Sequence, residues 1–432
     1  MADANFKIKN GLEFANGLNN IPIGFQSLFN NTTGNDNIAI GGRALQYNTT
    51  GSYNIATGLY SLYSNTVGIN NVAIGASAMY SNTTGGDNVA IGYRALYYNS
   101  DYEPSPGFFI DGTDNIAIGH KSLHANTGGQ FNVALGREAL SYNTTGSANF
   151  ATGYFALSYN TTGSGNFSAG FWSMEVNTTG SDNVAIGYQS LDQNSTGSDN
   201  IAIGSDALKY NTTGSYNIAF GYSAMYSSGG GTGSHNFAAG YSALAQTDSG
   251  QYNAAIGYSA LGNNTTGSNN IATGNLTLSS NTTGFNNIAT GASAMYSDTT
   301  GTNNIATGYQ ALFSNVTGSR NVAIGYQAGY NETGSDKLYI SNSDTTRPLI
   351  YGDFSASVVT INGELKAVAG DTQDAVRLLG RAGGVGSYTA TFTPDILSAN
   401  RTLTLPDATG TIALTSDIAG SDTEIILLME VF

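Results

Sequence analysis

Apolar and polar residues alternate in very short bursts along this chain, and the bursts recur at a fixed interval. In Asn115-Ile-Ala-Ile-Gly119 two Ile residues alternate with small ones, which is the period of two expected for a strand. On this pattern Ile116 and Ile118 face one side, and Asn115, Ala117 and Gly119 face the other. The glycines closing such bursts fall at 24, 41, 58, 75 and 92, then at 119, 136, 153, 170, 187, 204 and 221, then at 240, 257, 274, 291, 308 and 325. Every step is 17 residues except two. Ten extra residues follow Gly92, around Asp101-Tyr-Glu-Pro-Ser-Pro-Gly107, and two follow Gly221, within Ser227-Ser-Gly-Gly-Gly-Thr-Gly233.

Asn stands four before the glycine in all eighteen units, so pairs such as Asn37 and Gly41, Asn88 and Gly92, Asn183 and Gly187, and Asn321 and Gly325 are structural anchors. Ala lies two before it in sixteen units, with Pro22 and Ser168 as exceptions. Leu or Met lies four after it in seventeen, failing only at Gly329. A turn closes most units, most often Asn-Thr-Thr-Gly (Asn48 to Gly51, Asn143 to Gly146, Asn211 to Gly214). Gly and Asn tolerate positive φ there, and the Thr hydroxyls reach local backbone. A helical reading fails, because Gly and β-branched residues recur too often.

One unit buries nothing alone, so stability must come from stacking. The pattern predicts an all-β parallel β-solenoid of about eighteen coils with Ile/Val, Leu and Asn ladders. At roughly 4.8 Å per coil it makes a rod on the order of 85 Å long. The small Ala and Gly residues are expected to let a second surface approach closely. So thin a coil is expected to need neighbours, most simply in a homotrimer.

Composition narrows the function. Charged residues are only 10% and Gly numbers 57, while 40% hydrophobic residues argue against disorder. A net charge of −15, with 14 Lys+Arg, offers no basic stripe for nucleic acid or for anionic membranes. The absence of Cys excludes disulfides and thiolate metal sites. Met1 to Asn10 lacks the apolar run of a signal peptide, and no stretch approaches ~20 apolar residues. Synthesis and assembly in a cytoplasm, without membrane insertion, are therefore expected.

Asn88-Val-Ala-Ile-Gly92 followed by Ala95, and Asn321-Val-Ala-Ile-Gly325 followed by Ala328, resemble the head repeat of trimeric autotransporter adhesins. The resemblance covers about residues 20–330 and implies a trimer of left-handed parallel β-rolls. The period here is longer, with an enlarged turn carrying Asn-Thr-Thr-Gly. Lys337-Leu-Tyr-Ile-Ser341, Pro348-Leu-Ile-Tyr-Gly-Asp-Phe354 and Val359-Thr-Ile-Asn-Gly363 look like the segment that follows such repeats in phage tail-fibre proteins. Leu378-Leu-Gly-Arg-Ala-Gly383 and the stretch from Ala399 to Asp417 resemble a segment of tailed-phage fibres, as Ala2 to Gly11 resembles their start. The resemblance implies a virion tail fibre whose N-terminus docks on a tail or baseplate protein and which meets a host surface glycan or protein. It divides the chain into an attachment segment (1–19), the repeat shaft (20–330), a neck (331–366), a β-rich C-terminal domain (367–419) and a tail (420–432). The tail is expected to seal the end of the trimer.

Chemistry is sparse. His120, His124 and His235 lack an evident third metal ligand and read as surface decoration. Asp36, Asp87, Asp114, Asp182 and Asp199 precede the anchor Asn; calcium between coils is weighed against solvated turns, and turns are expected. A glycan-cleaving tailspike needs two carboxylates across a groove, for which Asp101, Glu103 and Asp111 are the available candidates. Neither an enzyme nor a bound cofactor or metal is expected. Tyr residues after the glycine (Tyr93, Tyr188, Tyr222, Tyr309) or near the turn (Tyr47, Tyr142, Tyr210) read as packing between coils, with sugar stacking as the alternative. The two insertions break the array, which makes Tyr102, Phe108, Phe109 and His235 candidate surface contacts.

Overall fold

The computed structural model describes residues 19–99, 112–227, 229–363, 411–413 and 428–430. Eighteen three-residue strands, β1 (Ile21–Ile23) to β18 (Val322–Ile324), form one parallel ladder. Each residue pairs with its equivalent one coil on, as Ile38, Ala39 and Ile40 do with Ile55, Ala56 and Thr57. The register survives both insertions: Val89 pairs with Ile116 and Ile218 with Phe237. The fold is the expected parallel β-solenoid, with a 17-residue period and no helix among the described residues.

Size decides which strand face turns inward. The middle Ala of the strands, from Ala39 to Ala323, is completely buried, while the flanking Ile, Val, Phe and Thr residues point outward. The alternation is therefore as expected, but the small residues do not receive a second molecular surface. They let the opposite wall of the same coil approach. That wall supplies the small residues Ala44, Ala78 and Ala95 and the Leu/Met column from Leu28 to Leu312, with Leu45 and its followers down to Leu278 fully buried. Ser168, the departure from Ala, satisfies its hydroxyl inside by donating to Ser173 O at 2.8 Å.

Two buried asparagine columns complete the interior. In the first, Asn54 donates Nδ2 to Asn37 Oδ1 (3.1 Å) and to Gly68 O (2.9 Å), and Asn37 Oδ1 also accepts from Asn54 N. In the second, built from the Asn of Asn-Thr-Thr-Gly, Asn65 donates to Asn48 Oδ1 (2.8 Å) and to the same Gly68 O. The chain does bend at the two Thr residues of this motif, but the expected reasons for it are corrected here. Its Asn and Gly are not among the residues at positive φ. The Gly is needed because a Cβ on Gly51 would lie 2.4 Å from both Asn48 Oδ1 and Gly68 O. The Thr hydroxyl reaches the next coil rather than local backbone, as Thr49 Oγ1 does to Thr66 O at 2.9 Å.

Left-handed backbone occurs elsewhere in the coil, two and four residues after the anchor glycine and five before it, as at Arg43, Leu45 and Asp36. Asn and Asp are the non-glycine residues that adopt this conformation most readily. That accounts for Asp36, Asp87, Asp114, Asp182 and Asp199, all near φ +57°.

The array ends in a cap. β19 (Lys337–Ile340) extends the ladder in parallel, Leu338 pairing with Val322. The chain then doubles back through β20 (Ile350–Asp353) and β21 (Val358–Ile361), both antiparallel. Gly329 breaks the Leu column to make room for this cap: a Cβ there would lie 3.0 Å from Tyr339 Cδ2 and 3.1 Å from Leu312 Cδ2. Tyr339 packs on the core in its place. Ion pairs Arg320–Asp336 and Lys337–Asp353, both at 2.6 Å, tie the cap edge. Met1–Gly363 forms one compact unit and Glu364–Phe432 a second, in which β22 (Thr411–Ala413) and β23 (Leu428–Glu430) pair antiparallel. The rest of the expected C-terminal domain and tail, and the attachment segment up to residue 18, lie outside the described residues.

Candidate functional site

Three surfaces carry chemistry. The first is the outer face of the ladder, where the first and third residues of every strand form two columns along the array. They run through Ile38 and Ile40, Val89 and Ile91, Phe167 and Ala169, Val184 and Ile186, to Val322 and Ile324. No charged residue interrupts either column from β1 to β18. Ile21, Ile40, Ile118, Ile186, Ile271 and Ile324 are all exposed. The first column is apolar in every strand, and Thr57, Thr152, Thr273, Thr290 and Thr307 are the polar members of the second, so a long, mostly apolar strip is left bare, of the kind that marks an interaction surface.

The second surface is a set of ring stacks. Tyr63, Tyr80, Tyr97 and His124 lie nearly parallel in successive coils, at centroid spacings of 4.9, 5.0 and 5.3 Å. Tyr222, Tyr241 and Tyr258 repeat the arrangement, as do Tyr296, Phe313 and Tyr330. Coil spacing sets the ring centroids in the range of offset-stacked pairs, so each ring covers much of its neighbour's face and leaves its edge outward. Sugar stacking needs a free face. Within a stack there is none; only the end rings offer one.

The histidines belong to these stacks. His120 lies over Tyr93 at 5.4 Å. His235 is exposed and sandwiched between Tyr216 (5.0 Å) and Tyr252 (4.8 Å). His124 departs from the expected surface role: it is half-buried, its Nε2 is buried without a partner, and burial pushes it down to about 4. Tyr102, Phe108 and Phe109, like Asp101, Glu103 and Asp111, lie outside the described residues. The anchors Asn37, Asn88, Asn183 and Asn321 are fully buried, so they build the scaffold and cannot contact a partner.

The third surface is a cleft of about 460 Å³ between the last coil and the cap. Tyr330 lines it, with one face already covered by Phe313. Glu332, Tyr339, Arg347, Tyr351 and Asn362 surround the opening. Tyr339 donates its hydroxyl to Glu332, and burial together with this bond pushes the phenol well above its ordinary range. Arg347 is exposed and forms no ion pair among the described residues. An aromatic face beside mixed charge and amide groups suits a polar ring-shaped ligand. Among the described residues no group of three His, Asp or Glu could hold a metal ion. The sequence showed Gly329 as a departure but not the cleft it permits, because β20 and β21 come from outside the repeat.

No family model, no curated protein and no solved structure matches the chain.

Proposed function

We propose that this chain is the shaft subunit of a non-enzymatic, homotrimeric tail fibre of a tailed phage, which spaces a virion attachment point from a host-contacting end. The observation that carries this reading is the uncharged, mostly apolar face along all eighteen strands. Contiguous exposed apolar surface of this length marks an interaction site rather than ordinary solvent-facing surface. A flat, repeated surface of this kind favours identical copies side by side, with contacts multiplied coil by coil. The flanking segments from Lys337 to Gly363 and from Ala399 to Asp417 support the phage assignment through their resemblance to tail-fibre sequences. Three copies of each end give avidity toward a host surface glycan or protein without a deep pocket.

Electron microscopy of particles labelled with an antibody to this chain tests the assignment. Label on fibres projecting from a virion tail is the expected result, and label confined to a bacterial surface would refute it. The likeness of the repeat to adhesin heads favours that bacterial surface adhesin as the second reading.

A further inference from the structure

Asp298 occupies a rung of the second asparagine column, between Asn281 in the preceding coil and Asn315 in the following one. Along this column the Nδ2 of each Asn donates to the Oδ1 of the one before, as Asn82 does to Asn65 (2.8 Å) and Asn281 to Asn264 (2.7 Å). A carboxylate has no N–H to give. Accordingly Asn281 Oδ1, which the Asp298 rung follows, is buried without a donor.

Asp298 is itself fully buried. It accepts from Gly301 N at 2.7 Å, and from Asn304 Nδ2 and Asn315 Nδ2 at 3.3 Å each. Its hydrogen-bond partners are therefore Gly301 and Asn304 along the chain beyond it and Asn315 from the coil after, and the register of the column places Asn281 one coil before it. All are neutral. No ion pair reaches it among the described residues, and no neighbouring charge contributes to its acidity. Burial outweighs the three hydrogen bonds, which favour the ionised form, and pushes the carboxyl up to about 7.

We propose that Asp298 is a proton-binding site that locks the last coils of the solenoid, its carboxyl proton completing the rung to Asn281 Oδ1. With the proton bound, one carboxyl oxygen becomes the missing donor and the column runs unbroken from Asn264 to Asn315. With the proton lost, a buried negative oxygen faces a buried amide oxygen, and the rung opens. The folded carboxyl holds its proton more tightly than the unfolded one at 3.8. The stabilisation is thus fully present below about pH 4, declines as pH rises towards 7, and is absent above it. The end of the array that carries the cap is thereby tunable by pH around neutrality, while coils with Asn at this rung are not.

Hydrogen exchange on the full chain at pH 6 and pH 8, corrected for intrinsic rates, tests the proposal. Protection of the coils from Asn264 to Asn315 is expected to fall about tenfold in all between pH 6 and pH 8, most of it below pH 7. In Asp298→Asn it is expected to stay level and to exceed the unsubstituted chain at pH 8. An infrared difference spectrum of the unsubstituted chain between these pH values is expected to show a protonated-carboxyl band that Asp298→Asn lacks. Identical exchange profiles for the two proteins, or no such band at pH 6, would overturn the proposal.

Discussion

At Asn183 a single side chain serves three coils. It donates to Asn166 Oδ1 and Gly197 O, and its own Oδ1 accepts from the backbone and side-chain N–H groups of Asn200. Asn183→Ala leaves buried groups unmatched in all three, at a cost of about 2–4 kcal/mol; chemical denaturation is expected to register it. Gly187, at φ +134°, is constrained further, since a Cβ there would lie 2.7 Å from Gly204 C and O. Gly187→Ala is expected to lose about 3 kcal/mol or more, because the backbone angle and the neighbouring carbonyl both oppose it. His124 carries a pH dependence opposite to that of Asp298. Its folded value of about 4 lies below the unfolded 6.5, so the unfolded chain takes up this proton first as pH falls. Stability is therefore lost between about pH 6.5 and pH 4, and thermal melts of His124→Phe are expected to lack that loss.

The coil is the unit in which substitutions, insertions and deletions should be judged. Deleting residues 184–200 removes one whole period, joins Asn183 to Ile201 and keeps every column in line. The shortened chain is expected to fold with an unchanged β circular dichroism signature and only a small shift in melting. Deleting residues 184–199 instead turns every later side chain to the wrong face, and an insoluble or unfolded product is expected. The same logic explains what could be read in advance. The Ala, Leu and first Asn columns were legible, because stacking places like on like and each coil repeats the same demand. The direction of the strand was not, since Ile-Ala-Ile reads the same from either face, and only the narrowness of the coil sends Ala inward. The second Asn column hid inside a turn motif because its partners lie 17 residues away. Asp298 and Gly329 were visible as departures, but their meaning depended on the amide and the tyrosine ring brought to them by other coils.

Across the solenoid, two asparagine columns share the interior with the Ala and Leu/Met columns, while Ile and Val columns are shown outside. Asparagine ladders hold each coil to the next, so the outer Ile and Val columns are free to serve lateral association in the proposed trimer. Substituting Ile186 and Ile203 by Lys places charge on that face, where neither side chain contributes to the buried interior. The chain is expected to keep its fold, within about 0.5 kcal/mol per site, while losing its assembly. Sedimentation equilibrium of the full chain at micromolar concentration, beside this double variant, tests the proposed assembly most directly. A mass three times the 44.6 kDa of one chain is expected for the unsubstituted protein, falling to a single chain mass in the folded variant. A unsubstituted protein that sediments as a stable single chain would contradict it.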